Sequence, residues 1–142
     1  MKSSRFANIA YFLLRVSTGL MFFQAGSMNY LGWFGGMPGM PGMSAPLNTQ
    51  LGIGGLLEFY GGIAIMLGIF TRPVAFILSG EMAVAYWQFH APRGAWPILN
   101  HGEAAALMCF IFLFVSSQGG GDWSVDAWWR RRREASTARP TD

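Results

Sequence analysis

Residues 51–73 have the sequence LGIGGLLEFYGGIAIMLGIFTRP. The first twenty of them include one charged side chain, Glu58, and about 20 apolar residues at ~1.5 Å each span the ~30 Å hydrocarbon core of a bilayer. Thr71, Arg72 and Pro73 then form a tight turn, and Pro73 can open a second helix, where its missing N–H costs nothing. The stretch therefore predicts an antiparallel pair of membrane-spanning helices, residues 51–70 and 73–89.

The sparse charge of the chain extends this prediction to the other segments. Only 12% of the 142 residues are charged, against ~25% in an average protein. A soluble domain could not cover its surface with the six charged side chains that residues 6–118 contain. This composition excludes a soluble globular enzyme, a nucleic-acid-binding module and a disordered chain. The six charged residues are Arg15, Glu58, Arg72, Glu81, Arg93 and Glu103.

We expect an all-α, polytopic membrane protein with a bundle of four transmembrane helices at about residues 7–28, 51–70, 73–89 and 101–117. An interfacial segment at residues 122–129 follows, capped by Asp122. Residues 1–129 then make one membrane domain, and residues 130–142 are expected to be a basic, disordered cytoplasmic tail. Four short helices bury little polar surface on their own, so a homodimer is a further expectation.

The distribution of Lys and Arg predicts the orientation of the chain, because these residues concentrate in cytoplasmic connections. The predicted helices place eight basic residues on the side of both termini and Arg93 alone on the other side, so both termini should be cytoplasmic. The run of four arginines at 130–133 suits anionic headgroups of the lipid bilayer better than nucleic acid. The eight are Lys2, Arg5, Arg72, Arg130, Arg131, Arg132, Arg133 and Arg139.

Three ionisable residues fall inside the predicted spans, where such groups usually face a cavity or one another. At ~1.5 Å per residue, Arg15 and Glu81 both lie about 12 Å from the inner face, and Glu58 lies about 7 to 8 Å above Arg15. A stretched guanidinium could reach both carboxylates. Two acids beside one base leave one carboxylate uncompensated and able to carry a transferable proton. The alternative is a buried salt-bridge cluster that only fixes helix order.

The helical period predicts which residues share a helix face with Arg15 and with Glu81. At 100° per residue, Arg15 shares a stripe of the first helix with Gly19 and Gly26, which permit close approach of another helix. Glu81 and Gln88 are seven residues apart and share a face of the third helix.

Candidate metal ligands are few. Met37, Met40 and Met43 repeat every three residues and suit Cu(I), although an adaptable apolar plug over the bundle mouth is the favoured interpretation. His90 and His101 flank one loop without a third partner, so we favour hydrogen bonding over metal binding and predict no metal site. The lone Cys109 can form no intrachain disulfide.

Several motifs together resemble the DoxX family of small bacterial inner-membrane proteins, over Leu14 to about Ala127. They are LR at 14–15 with Gly19 and Gly26, LE at 57–58 with Gly61 and Gly62, GIFTRP at 68–73, GEMAVAY at 80–86, HAPRG at 90–94, WP at 96–97, NHGE at 100–103 and WSVDA at 123–127. Two positions depart from the family pattern. A lysine expected near the end of the first helix is replaced by MNY at 28–30, which weakens an anionic-ligand role at the outer mouth. His101 stands where the family has glycine, and it is a candidate for something that this chain does differently.

The resemblance implies a four-helix bundle in the bacterial inner membrane, associated with respiratory or redox complexes. We therefore expect an accessory or quinone-interacting subunit, with quinone or quinol as its cofactor. Arg15 would orient the headgroup, and Glu58 or Glu81 would exchange protons. The further ligand-binding candidates near the outer surface are Glu103, Asn100 and His101.

The sequence contains no haem, flavin or iron–sulfur motif, so an enzymatic role would require a redox-protein partner subunit. Two other functions stay open. The same carboxylates could couple protons to the transport of a small solute, or the chain could be a non-catalytic membrane scaffold.

Overall fold

The computed structural model describes residues 4–37 and 39–137, and these residues form an almost entirely helical structure. A short antiparallel ribbon of β1 and β2 interrupts the loop after the first helix, with Met37 opposite Met40. The elements in chain order are α1 (Arg5–Leu31), β1 (Gly36–Met37), β2 (Met40–Pro41), α2 (Gln50–Leu67), α3 (Thr71–Ala85), a π-helical turn (Tyr86–His90), a 3₁₀ turn (Ala91–Arg93), α4 (Pro97–Asn100), α5 (Glu103–Gln118) and α6 (Val125–Thr137).

Helices α1 and α2 make the most extensive helix pair, and glycines set their separation. A Cβ on Gly19 would lie 2.8 Å from the carbonyl oxygen of Gly62, and a Cβ on Gly26 would overlap the backbone nitrogen of Phe59. The two backbones can approach this closely only because these positions carry no side chain. The predicted role of Gly19 and Gly26 is therefore confirmed.

The second extensive pair is α3 with α5, and its apolar face forms the core. Phe22 of α1 reaches this core and packs edge-on against Phe112 of α5, with ring centroids 4.5 Å apart. Ser79 of α3 donates its hydroxyl to the Cys109 carbonyl at 2.8 Å. The buried core residues are Phe22, Ile65, Ala75, Leu78, Met108, Phe112 and Val115.

The outer surface is rich in large apolar side chains. Phe110 of α5 is 68% exposed, and Phe76 of α3 is 64% exposed. Among the described residues, α1 and α2 are long and apolar enough to cross a membrane, and α5 is a shorter apolar helix. Such a surface is favourable in lipid and unfavourable in water.

Several predicted boundaries were wrong, and left-handed backbone conformations explain three of them. Helix α2 ends at Leu67 because Gly68 has φ 70°, so it does not continue to residue 70. Phe70, with φ 45°, precedes α3, which begins at Thr71. His101, with φ 56°, ends the short helix α4, so α5 begins at Glu103. The third helix departs from α-helical geometry after Ala85 and continues to His90 as the π-helical turn.

The C-terminal segment also differs from its prediction, because α6 continues to Thr137 where disorder was expected from residue 130. Arg, Glu and Ala are good helix formers, and Arg132 lies over the Trp128 ring one turn earlier. The cap is Ser124, whose hydroxyl accepts the Ala127 N–H at 3.1 Å, and not Asp122. Lys2 and Arg139, which contribute to the predicted orientation, and the tail beyond Thr137 lie outside the described residues.

Candidate functional site

A cavity of about 390 Å³ lies between α2 and α3, and it brings Glu58 and Glu81 together. Glu58 comes from the middle of α2 and Glu81 from the second half of α3. The walls are otherwise mostly apolar. The lining residues are Asn29, Gln50, Leu51, Ile53, Gly54, Gly55, Leu57, Glu58, Ile77, Gly80, Glu81, Met82, Val84, Ala85 and Phe89.

Glycines on both helices leave the space for this cavity. A Cβ on Gly54 would lie 3.0 Å from Oε1 of Glu81, so this carboxyl group rests against the bare backbone of α2. A Cβ on Gly80 would have no atom within 4 Å, because Gly80 faces open space. Glycine is unfavourable inside a helix by about 1 kcal/mol relative to alanine. The presence of glycine at both positions therefore indicates that the cavity requires this space.

The polar groups of the cavity are few and incompletely paired. Asn29 of α1 donates its side-chain N–H to Oε2 of Glu58 at 3.3 Å. Oε2 of Glu81 is buried and has no hydrogen-bond partner among the residues that the structure describes. At the end of the cavity where α2 begins, Gln50 Nε2 donates to Gln88 Oε1 at 2.5 Å. Among the described residues that line the cavity, none carries a positive charge.

Arg15 does not join the two carboxylates, which corrects the predicted cluster. Its guanidinium donates to the carbonyls of Ile65, of Met66 at 2.8 Å and of Trp123 at 2.7 Å. The side chain is only 1% exposed. Ile65 and Met66 lie in the last turn of α2, where carbonyls have no donor within the helix and the helix dipole favours a cation.

The predicted depths were wrong because they placed the C-terminal end of α2 level with the start of α1. Helix α2 ends beside Arg15, so Arg15 is level with Met66. Glu58 is eight residues before Met66, which corresponds to about 12 Å along the helix axis. The structure thus separates a carboxyl pair in the cavity from an arginine that ties α2 to the segment before α6.

The outer group of predicted ligand residues lies outside the cavity. Asn100 is fully buried, and its side chain donates to the Gly94 carbonyl at 2.8 Å and accepts the Gly102 N–H at 2.8 Å. Nδ1 of His90 lies 3.1 Å from the Asn100 carbonyl oxygen. His101 and Glu103 are exposed. Asn100 therefore organises this loop, and the predicted roles of these residues in ligand binding stay predictions.

In the part of the chain that the structure describes, no group of three His, Cys, Asp or Glu side chains could hold a metal ion. Met43 is exposed, and its carbonyl accepts the Met37 N–H at 3.2 Å across the ribbon. The copper hypothesis for Met37, Met40 and Met43 stays a prediction.

Sequence reasoning missed four residues of the site: Asn29, Gln50, Gly54 and Gly80. A signal existed for three of them. Gly54 is one turn before Glu58, and Gly80 is next to Glu81. The helical period also places Asn29 on the stripe of Arg15, Gly19 and Gly26, although sequence reasoning assigned it no role in the site. No comparable pattern marked Gln50, which only the packing of the helices brings to the cavity.

Comparisons of the sequence with known proteins identify its family. The DoxX family model matches residues 10–91, which include α2, α3 and both carboxylates of the cavity. The chain belongs to the DoxX family. An uncharacterized protein of Haemophilus influenzae is 40% identical over 121 residues, which cover 82% of this chain and 89% of the relative.

A second relative is the inner membrane protein YqjF of Escherichia coli. It is 26% identical over 127 residues, covering 84% of this chain and 91% of that protein. No solved structure gives a significant match to the chain.

Proposed function

We propose that this DoxX protein is a multi-pass protein of the bacterial inner membrane, in which α1, α2, α3 and α5 cross the bilayer as a four-helix bundle with both termini in the cytoplasm. The exposed apolar side chains of these helices support membrane insertion. The relative named an inner membrane protein supports the compartment. Arginine is more frequent at the end of the protein with the α2–α3 turn and α6 than at the opposite end. This difference supports the orientation.

We further propose that the cavity between α2 and α3 binds the headgroup of a quinone or quinol, and that the chain serves as an accessory subunit of a redox system. The observation that carries this proposal is the buried Oε2 of Glu81, which has no partner among the described residues, in a mostly apolar cavity. Buried polar groups normally have a partner. A ligand with an apolar body and a hydrogen-bonding oxygen would supply the partner and fit the walls.

The side chains of the cavity can serve both states of such a ligand. A protonated carboxyl of Glu58 or Glu81 can donate a hydrogen bond to a quinone carbonyl, and an ionised one can accept from a quinol hydroxyl. The amide of Asn29 holds Glu58 by its Oε2 atom. Glu81 also lines the cavity and has no such partner among the described residues, so its carboxyl group can hold or release a proton next to the ligand.

When bound, a quinone would supply two-electron, two-proton redox chemistry. The residues of this chain would bind and orient the headgroup, exclude water and exchange protons. Electrons would have to come from the partner subunit that the sequence already predicts.

The test is to purify the full chain in mild detergent and to quantify quinone in an organic extract by mass spectrometry. We expect near-equimolar quinone with the native chain. Gly80→Leu should abolish it, because Gly80 lines the cavity and its Cβ position is open, so the new side chain takes up space that the ligand needs. Glu81→Gln should lower it strongly.

The matched control is Glu103→Gln, which removes an exposed carboxylate outside the cavity. This variant should retain the quinone. An extract without quinone, or equal amounts from the native chain and Gly80→Leu, would contradict the proposal.

A second candidate function is a proton-coupled carrier of a small solute. The cavity lining contains two carboxyl groups and, among the described residues, no cation. This favours a carrier, because ionisable groups inside a membrane mark ion and proton pathways. A Gly80→Cys variant in a Cys109→Ser background would distinguish the two functions. A carrier requires labelling by a water-soluble thiol reagent from both sides of the membrane, whereas a lipid-fed quinone site does not.

A further inference from the structure

One face of α6 carries two aromatic rings and two arginines. At 100° per residue, Trp128, Trp129, Arg132 and Arg133 lie within 140° of arc, which we call the α6 face. Ala127, on the other side of the helix, is completely buried. Trp128 is 49% exposed and Trp129 is 38% exposed. The helix therefore packs against the body of the protein through Ala127 and leaves the α6 face uncovered.

The orientation of α6 is fixed at the turn between α2 and α3. The Asp126 carboxylate accepts the N–H groups of Phe70 and Thr71, both at 2.9 Å, and the Thr71 hydroxyl at 2.8 Å. The Asp126 N–H donates to the Gly68 carbonyl at 2.9 Å. Four hydrogen bonds thus hold the first turn of α6 at the end of the two helices, so the α6 face has a definite position.

The aromatic rings of the face continue an apolar surface. Trp129 packs against the exposed ring of Phe70, with centroids 5.7 Å apart. Phe70 belongs to the turn where α2 and α3 would leave the bilayer. Tryptophan is enriched at this level of membrane proteins, because its ring is amphipathic.

The arginines of the face are held close to the same surface. The guanidinium of Arg132 lies 4.1 Å from the centre of the Trp128 ring, which is a cation–π contact. Within residues 4–37 and 39–137, no acceptor is bound to its N–H groups. Arg133 follows Trp129 by the same four-residue spacing. Arg131, outside the face, donates to the Asp122 carbonyl at 2.7 Å and helps to hold the helix.

We propose that the α6 face binds the phosphate groups of anionic phospholipids in the leaflet that surrounds the α2–α3 turn. The tryptophans sit at headgroup depth, and the forked guanidinium groups match a phosphate that carries negative charge. Clusters of arginine next to a membrane span attract anionic lipid in this way. The proposal does not depend on the ligand of the cavity.

The test is native mass spectrometry of the full chain in detergent micelles, titrated with phosphatidylglycerol or with phosphatidylcholine of the same acyl chains. We expect phosphatidylglycerol to bind at least about 10-fold more tightly. Arg132→Gln and Arg133→Gln should each weaken phosphatidylglycerol binding roughly fivefold and leave phosphatidylcholine binding unchanged.

The matched control is Arg93→Gln, which removes one exposed arginine at the opposite end of the protein. It should change phosphatidylglycerol binding by less than about twofold. Equal affinities for the two lipids would overturn the proposal. Normal phosphatidylglycerol binding by the Arg132→Gln and Arg133→Gln variants would also overturn it. The same is true if Arg93→Gln weakens phosphatidylglycerol binding as much as these two variants do.

Discussion

Arg15→Gln is the perturbation that best separates a structural role of Arg15 from the catalytic role that the sequence predicted. Arg15 donates to the Met66 carbonyl at the end of α2 and to the Trp123 carbonyl before α6. Nη1 is shared between the Ile65 and Met66 carbonyls, so we count one hydrogen bond at the end of α2 and one at Trp123. Each hydrogen bond from a charged donor contributes about 1.5–3 kcal/mol, so the loss of these two costs about 3–6 kcal/mol of unfolding free energy. The buried position of Arg15 prevents water from replacing these bonds.

The assay is thermal unfolding of the full chain in detergent, followed by circular dichroism. A loss of this size corresponds to a fall in Tm of roughly 10 °C or more for a chain of this length. Arg5→Gln is the matched control, because Arg5 is exposed at the start of the same helix, and it should change the unfolding free energy by less than about 0.5 kcal/mol.

The second readout of this experiment is the ligand of the cavity. Any Arg15→Gln protein that remains folded at low temperature should still contain quinone, because Arg15 does not line the cavity. A variant with native Tm and no quinone would refute the assignment of Arg15 to the end of α2. It would restore the predicted cluster of one arginine with two carboxylates.

Two further predictions concern packing and docking. Gly26→Ala should destabilise the protein by about 2 kcal/mol or more in the thermal unfolding experiment, because its Cβ would overlap the Phe59 backbone. The control is Gly80→Ala, whose Cβ would have no atom within 4 Å, and it should be neutral or stabilising. Asp126→Asn should loosen α6, because it weakens three hydrogen bonds to the α2–α3 turn, and the measured consequence should be faster tryptic cleavage at residues 130–133 with unchanged quinone content.

The helical class and the family could be predicted from the sequence because both depend on local signals. Low charge and long apolar runs indicate helices, and the stripe with Gly19 and Gly26 correctly indicated the face of α1 that approaches another helix. These features depend on residue type and helical period alone, so no knowledge of tertiary packing is needed.

The partners of the buried charges could not be predicted, because they depend on the exact end of each helix. The left-handed backbone at Gly68 ends α2 three residues earlier than predicted. Its last-turn carbonyls therefore lie beside Arg15, and the register of the two helices leaves Glu58 and Glu81 together without this arginine. The register of α1 against α2, which brings Asn29 to Glu58, is likewise a result of packing.

The most direct test of the central claim, that the cavity of Glu58 and Glu81 is the ligand site, is photolabelling of the full chain in native membranes with an azido-quinone, followed by peptide mapping. We expect the label on peptides from residues 50–58 and 77–89, and its loss in Gly80→Leu. Labelling at the Arg15 end of α1 or on α5, or labelling that survives in Gly80→Leu, would contradict the assignment of the site.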